Sequence, residues 1–253
     1  MQVLRTKFKN EIIAEFVVPE ILTNKVLIIC GGMPSYPAKQ KYQKFFDYFT
    51  KRGFFVFVPR YRGSWESKGK MFEQCPSKDI KDIVDELPSG FKNIWDKQTY
   101  KIKNPEVYLY GSSFGGPAVL LNSKDKRVKK AIASSPVLDW TTMDDTIEPI
   151  DTLNPFVQEA FGEGYRMAKN GWNKIKKGNF YNPVTALEKI DGKKCLIIHS
   201  KDDEIVSLTP VAPFCKKTQS TLVLVKSGGH GLDIFESRFK KRWVDFFGLS
   251  DKI

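Results

Sequence analysis

The stretch Val107-Tyr108-Leu109-Tyr110-Gly111-Ser112-Ser113-Phe114-Gly115-Gly116 constrains this chain more than any other. An apolar run of strand length leads straight into G-x-S-x-G, with Ser113 at its centre. Such a run reads as a buried strand that turns sharply into a helix and pushes one serine hydroxyl into the open. Gly111 and Gly115 flank the serine because so tight a turn leaves no room for side chains. Residues 117–123 read as the helix after the turn.

The rest of the chain supplies the sheet and helices this element needs. Residues 3–9 and 12–18 read as a strand pair about a turn at Lys9-Asn10, closed by Pro19. Residues 25–30 form an apolar strand ended by Gly31-Gly32. Residues 38–52, from Ala38, carry Tyr42, Phe45, Phe46 and Phe49 at helical spacing, with Gly53 beyond their end. Residues 54–58 are apolar without a break, as in a strand covered on both faces. Residues 76–95 predict a helix open to interruption at Pro88-Ser89-Gly90. Strands are predicted at 130–134, 195–199 and 222–226, and helices at 209–219 and 232–247. This alternation predicts βαβ units and a mainly parallel central sheet flanked by helices, an α/β fold. Residues 141–190, rich in Asp, Asn, Gly and aromatics, break the rhythm and read as an inserted, mostly helical segment.

A serine hydroxyl needs a base to take its proton and a carboxylate to orient that base. The chain has two histidines. His230 sits in the glycine-rich loop Ser227-Gly228-Gly229-His230-Gly231 before the last helix, and is the candidate base. His199 lies inside the strand Cys195-Leu196-Ile197-Ile198-His199 and reads as a buried, hydrogen-bonded side chain. The acid comes from Ser200-Lys201-Asp202-Asp203-Glu204-Ile205-Val206, where three carboxylates compete. Backbone N–H groups of Phe114 and Met33, the latter in Cys30-Gly31-Gly32-Met33-Pro34, are the candidate oxyanion donors. Ser112 stands one residue too early in the pentapeptide and is expected to be buried at the strand end. Arg60 and Arg62 follow the 54–58 strand; they brace the oxyanion loop, meet an anionic substrate, or hold structure.

Composition narrows the classes. The 253 residues are 41% apolar, enough for a sizeable core. The opening Met1-Gln2-Val3-Leu4-Arg5-Thr6-Lys7 has no apolar signal core, and no apolar run nears the roughly 18 residues of a membrane span. Cys30, Cys75, Cys195 and Cys215 show no metal-ligand spacing. A cytoplasmic protein without metal or cofactor is expected. The net charge is +12, but the basic residues are dispersed. The densest patches, at 124–130 and 174–177, lack interleaved aromatics, so they read as solvated surface and no nucleic-acid partner is expected.

With these residues in place, the chain resembles the α/β-hydrolase superfamily over nearly its whole length. Within it, the chain is similar to small esterases related to dienelactone hydrolases and to the catalytic domain of the prolyl oligopeptidase family. The resemblance rests on Arg62-Gly63-Ser64, on Gly111-Ser112-Ser113-Phe114-Gly115-Gly116, on Asp203 followed by Glu204-Ile205-Val206, and on Gly229-His230-Gly231. In such families the Asp three residues before a Val is the acid, which implies Asp203 over Asp202. The order Ser113, Asp203, His230 is the α/β-hydrolase order. The resemblance further implies one domain over 1–253 with a lid at about 141–190, and a serine hydrolase acting on a small-molecule carboxylic ester. Peptide, amide or thioester cleavage is the alternative, and a non-catalytic basic binding module on the same fold is a third reading. Two motifs depart from the pattern: Gly31-Gly32 and His199-Ser200 stand where His-Gly is common. No β-propeller precedes the hydrolase segment, unlike in the oligopeptidases, which takes support from a peptidase role. The lid aromatics Trp140, Phe156, Phe161, Tyr165 and Trp172 either line an acyl pocket or pack the lid itself.

Overall fold

A computed structural model describes residues 2–37 and 39–249; the predicted helix start at Ala38 lies outside the described residues, as does Met1. The chain runs β1 (Leu4–Phe8), β2 (Ile12–Val17), β3 (Lys25–Cys30), α1 (Gln43–Thr50), β4 (Phe55–Pro59), α2 (Pro76–Glu86), β5 (Phe91–Lys92), β6 (Thr99–Tyr100), β7 (Glu106–Ser112), α3 (Gly115–Leu120) and β8 (Val128–Ser134). It continues through α4 (Ile150–Phe161), α5 (Gly171–Lys176), β9 (Cys195–Ser200), α6 (Val211–Thr218), β10 (Thr221–Val225) and α7 (Ser237–Phe247). Eight strands form one sheet in the order β1-β2-β4-β3-β7-β8-β9-β10. β2 pairs antiparallel with β1 and β4, and every pairing from β4 to β10 is parallel. This is the α/β-hydrolase fold.

Alternation along each central strand sends side chains to two buried faces. Val26 and Ile28 of β3 join one core with Phe57, Leu109 and Ile197. Leu27 and Ile29, one residue out of phase, join the other core with Val56, Ile132 and Ile198, beneath α1 and α7. Each fully buried Leu, Ile or Phe contributes about 1.5–3 kcal/mol. Cover on both faces explains why the predicted strands were continuous apolar runs.

The helix predicted over 76–95 ends at Glu86. Pro88 cannot continue it, Gly90 turns at φ +105°, and Phe91–Lys92 then pairs with Thr99–Tyr100 as a small ribbon. The helix predicted from 232 starts only at Ser237; Leu232 and Ile234 are apolar because the preceding loop buries them. A 3₁₀ turn, Lys39–Tyr42, leads into α1. The helix after the serine turn begins at Gly115, two residues earlier than predicted, and ends at Leu120. The 141–190 segment holds α4, α5 and several 3₁₀ turns, helical as predicted. No helix among the described residues is long and apolar enough to cross a membrane.

Candidate active site

The parallel strands carry their sequence-predicted residues to one sheet edge, where such folds place ligands. β7 ends at Ser112, and Ser113 turns at φ +52°, a left-handed conformation that a serine adopts only under constraint. The constraint is close packing. A Cβ at Gly111 would lie 2.3 Å from Gly115 O, and one at Gly115 would lie 2.0 Å from Cys30 O. Ser113 N–H donates to Ser134 O at 3.0 Å, tying the turn to β8. Phe114, the next residue, sends its ring into a cluster with Tyr61, Phe72, Trp140 and Tyr181, and its carbonyl accepts from Tyr181 Oη at 2.6 Å. Ser112 is half-buried rather than buried as expected, because the strand end opens onto the cavity below.

The loop after β3 lies against the serine. A Cβ on Gly32 would touch Ser113 Cβ at 3.4 Å and Oγ at 3.9 Å. Met33 follows and lines the same cavity. Neither Met33 N–H nor Phe114 N–H donates a backbone hydrogen bond among the described residues. Tyr165, from the inserted segment, grips this loop: its hydroxyl donates to Ser35 O and accepts from Ser35 N–H, both at 2.7 Å.

Asp203 and His230 meet across loops 27 residues apart. His230 Nδ1 is 3.0 Å from Asp203 Oδ2 and 3.2 Å from Oδ1. Asp203 Oδ1 also accepts from the N–H groups of Ile205 and Val206, each at 3.0 Å. The Asp203 carboxylate is fully buried, whereas the His230 side chain keeps 20% exposure. Burial pushes the Asp203 carboxyl up, but the hydrogen bond and charge of His230 and the Val206 N–H outweigh it and hold the group below the ordinary aspartate value. Asp202, the rival acid, faces elsewhere: it accepts from Ser200 Oγ and from the N–H groups of Gly229 (2.9 Å) and Gly228 (3.2 Å), pinning the loop that carries His230. Sequence reading gave Asp202 no such role; its place opposite a Gly-Gly turn was the available signal. Glu204 contributes its carbonyl, to Ile147 N–H. His199 is fully buried, as expected.

Ser113 and His230 line one cavity of about 590 Å³, with Gly32, Met33, Lys41, Lys44, Glu148, Ile205 and Asp233 among its walls. Among the described residues the hydrogen bonds of the His230 ring go to Asp203 and none joins it to Ser113 Oγ, a looseness common before substrate binds. None of Trp140, Phe156, Phe161, Tyr165 and Trp172 lines this cavity. Trp140, Tyr165 and Trp172 are buried in packing, and Phe156 is 53% exposed. Trp140 packs on Phe114 and Trp172 on Phe72, while Phe161 packs on Trp65, Phe156 and Tyr165. These aromatics therefore serve packing of the inserted segment, and Tyr165 also lines a neighbouring cleft with Gly31 and Gly32. Arg60 and Arg62 are also structural. Arg60 pairs with Glu15 (2.9 Å) and Glu66 (3.2 Å), and Arg62 with Glu11 (2.5 Å), Asp79 (2.5 Å) and Asp82 (2.9 Å).

A profile described as the prolyl oligopeptidase family matches residues 40–243. No curated protein sequence matches the chain. Among solved structures, an acylaminoacyl peptidase of Pyrococcus horikoshii superposes with a TM-score of 0.66 at 18% identity, covering 98% of this chain and 41% of that one. The chain thus spans well under half of that peptidase. An esterase of Pyrococcus furiosus gives 0.68 at 16% identity, covering 98% and 89%. An α/β-hydrolase of Penicillium gives 0.65 at 16% identity, covering 97% and 96%. At such identities the likeness is one of fold.

Proposed function

The chain belongs to the prolyl oligopeptidase family, and from that premise we propose that it is a serine hydrolase cleaving carboxylic esters through an acyl-enzyme on Ser113. The observation that carries this reading is the Asp203–His230 link at 3.0 Å, opening onto the cavity that Ser113 also lines. Ser113 Oγ attacks the ester carbonyl while His230 Nε2 takes the hydroxyl proton. The oxyanion that forms is held by the N–H groups of Met33 and Phe114. Its collapse expels the alcohol, which receives the proton from His230. Water then attacks the acyl carbonyl as His230 takes its proton, and collapse breaks the acyl–Oγ bond, returning that proton to Ser113 Oγ and freeing the acid. Asp203 keeps the Nδ1–H tautomer oriented and stabilises the imidazolium between steps.

The walls mix charged groups (Lys41, Glu148 and the Lys44–Asp233 pair) with apolar ones (Met33, Phe45, Ile205, Leu232 and Phe235), which suits an ester of mixed polarity. A second reading, amide or peptide cleavage by the same groups, is favoured by the family match and by the acylaminoacyl peptidase neighbour. Fluorophosphonate labelling of the native protein tests both. A stoichiometric adduct on Ser113 is expected; a folded protein that takes none sinks the hydrolase reading. Comparing kcat/KM for matched p-nitrophenyl esters and aminoacyl p-nitroanilides then separates ester from amide chemistry.

A further inference from the structure

His199, at the carboxyl end of β9, is fully buried and takes no part in the mechanism above. Its Nε2 lies 3.3 Å from Val206 O and 3.4 Å from Asp203 Oδ2. Both neighbours are acceptors, so Nε2 must carry the hydrogen for either contact to be favourable. Its Nδ1 is buried with no hydrogen-bond partner among the described residues. An orphaned lone pair there is cheaper than an orphaned N–H on a buried cation. Burial also lowers the His199 pKa below the ordinary value against the pull of Asp203, so the ring is neutral at pH 7.

The surroundings give this N–H a specific task. Asp203 Oδ1 is satisfied by the N–H groups of Ile205 and Val206. Oδ2 is bonded to His230 Nδ1 at 3.0 Å, with His199 Nε2 a further neighbour at 3.4 Å, not hydrogen-bonded to it. Val206 gives its N–H to Asp203 and offers its carbonyl to His199, which closes the 203–206 turn on itself.

We infer that His199 is a positioning residue for the acid: a neutral imidazole whose Nε2–H holds the Val206 carbonyl, and with it the 203–206 turn whose N–H groups set the Asp203 carboxylate against His230. This inference rests on the hydrolase reading, because it needs a reaction to position. A neutral donor suits the task. A cation 3.4 Å from Oδ2 would compete with the His230 imidazolium for the same carboxylate, whereas a neutral ring bonded to the Val206 carbonyl holds the turn without drawing off that charge.

The test uses His199→Leu, which removes the donor at similar volume, and His199→Gln, whose amide nitrogen replaces Nε2. The readout is the rate of fluorophosphonate labelling at Ser113. Leucine is expected to slow labelling about 10-fold, as the buried Val206 carbonyl loses its donor and the turn loosens, and glutamine to restore it to within about 3-fold of native. In an Asp203→Asn background, His199→Leu is expected to change the rate less than about 2-fold, because its effect runs through the carboxylate. A purely structural role would lower both backgrounds alike, and that result overturns the inference. A labelled native protein with an equally fast leucine variant removes His199 alone, whereas an unlabelled native protein removes the hydrolase reading and the positioning role together. Should the leucine variant not fold, ¹⁵N NMR of the native protein reads the tautomer directly. A neutral Nε2–H ring at pH 7 is expected, and an Nδ1–H or doubly protonated ring overturns the proposal.

Discussion

Asp202 and Asp203 are adjacent in the chain yet hold the His230 loop by different handles: Asp203 takes the imidazole Nδ1 at 3.0 Å, and Asp202 takes the Gly229 N–H at 2.9 Å. One orients the ring and the other anchors the backbone beneath it. Substitution at the two sites therefore differs in size. Asp203→Asn is expected to lower kcat about 10⁴-fold, through the wrong imidazole tautomer and an unsupported imidazolium. Asp202→Asn leaves the ring contact intact and is expected to lower kcat only about 3–10-fold, with the loop less firmly held. Steady-state kinetics on one chromogenic ester compare the two, and equal losses would sink the division of labour.

Ser113 and Ser112 offer a parallel comparison. Ser113→Ala is expected to lower kcat on the order of 10⁶-fold, as loss of a nucleophile does. Ser112→Ala is expected to retain fluorophosphonate labelling at Ser113, because Ser112 ends β7 paired with Ser134 rather than standing at the turn. Peptide mass spectrometry of the labelled variants decides it, and an adduct on Ser112 in the native protein would reverse the assignment.

The depressed Asp203 pKa sets a pH dependence with a definite sign. The carboxyl sits below its unfolded value of about 3.9. Its ionised form therefore adds stability that is fully present above that value and is lost as pH falls through the folded pKa. Asp203→Asn lacks this increment. The Tm gap between native and variant is expected to shrink as pH falls below about 4, as thermal unfolding across the acid range will show. For the same reason, an acid limb in kcat/KM above about pH 5 does not arise from Asp203.

Strand ends made most of this site legible in the sequence. Gly111 and Gly115 announced the serine turn because only hydrogen fits at 2.3 and 2.0 Å from neighbouring backbone. The parallel sheet was legible because burial on both faces demands unbroken apolar strands. The choice between Asp202 and Asp203 was not local, since both follow β9 within three residues of its end. It needed a family pattern, and in space it depends on a loop 27 residues away. The ribbon at Phe91–Lys92 was hidden because Phe91 fits a helical period as well as a strand until Pro88 is given full weight. The role of Trp140 was hidden for a similar reason: an aromatic that packs against Phe114 has the same composition as one that lines a pocket.

Glu148 brings the inserted segment into the cavity beside Ser113, whereas Tyr165 reaches the chemistry from outside that cavity. Residues 164–168 hydrogen-bond along residues 63–71: Trp65 N–H donates to Gly164 O at 2.8 Å, Arg166 N–H to Gly63 O at 2.7 Å, and Ala168 N–H to Met71 O at 2.9 Å. The Tyr165 hydroxyl then spans to both backbone groups of Ser35, two residues past Met33, while Trp65 Nε1–H donates to the same Ser35 carbonyl at 2.9 Å. Tyr165→Phe keeps the buried ring but leaves the Ser35 N–H without its acceptor, at a cost of about 1–3 kcal/mol in stability. The loop bearing the Met33 N–H is then less firmly placed, and oxyanion stabilisation demands placement more than substrate binding does. The expected result is a kcat about 10-fold lower with KM within about 2-fold, and a Tm a few degrees lower. A fall confined to Tm, with kcat unchanged, would show that the tyrosine holds the inserted segment to the fold and does nothing for the loop that bears Met33.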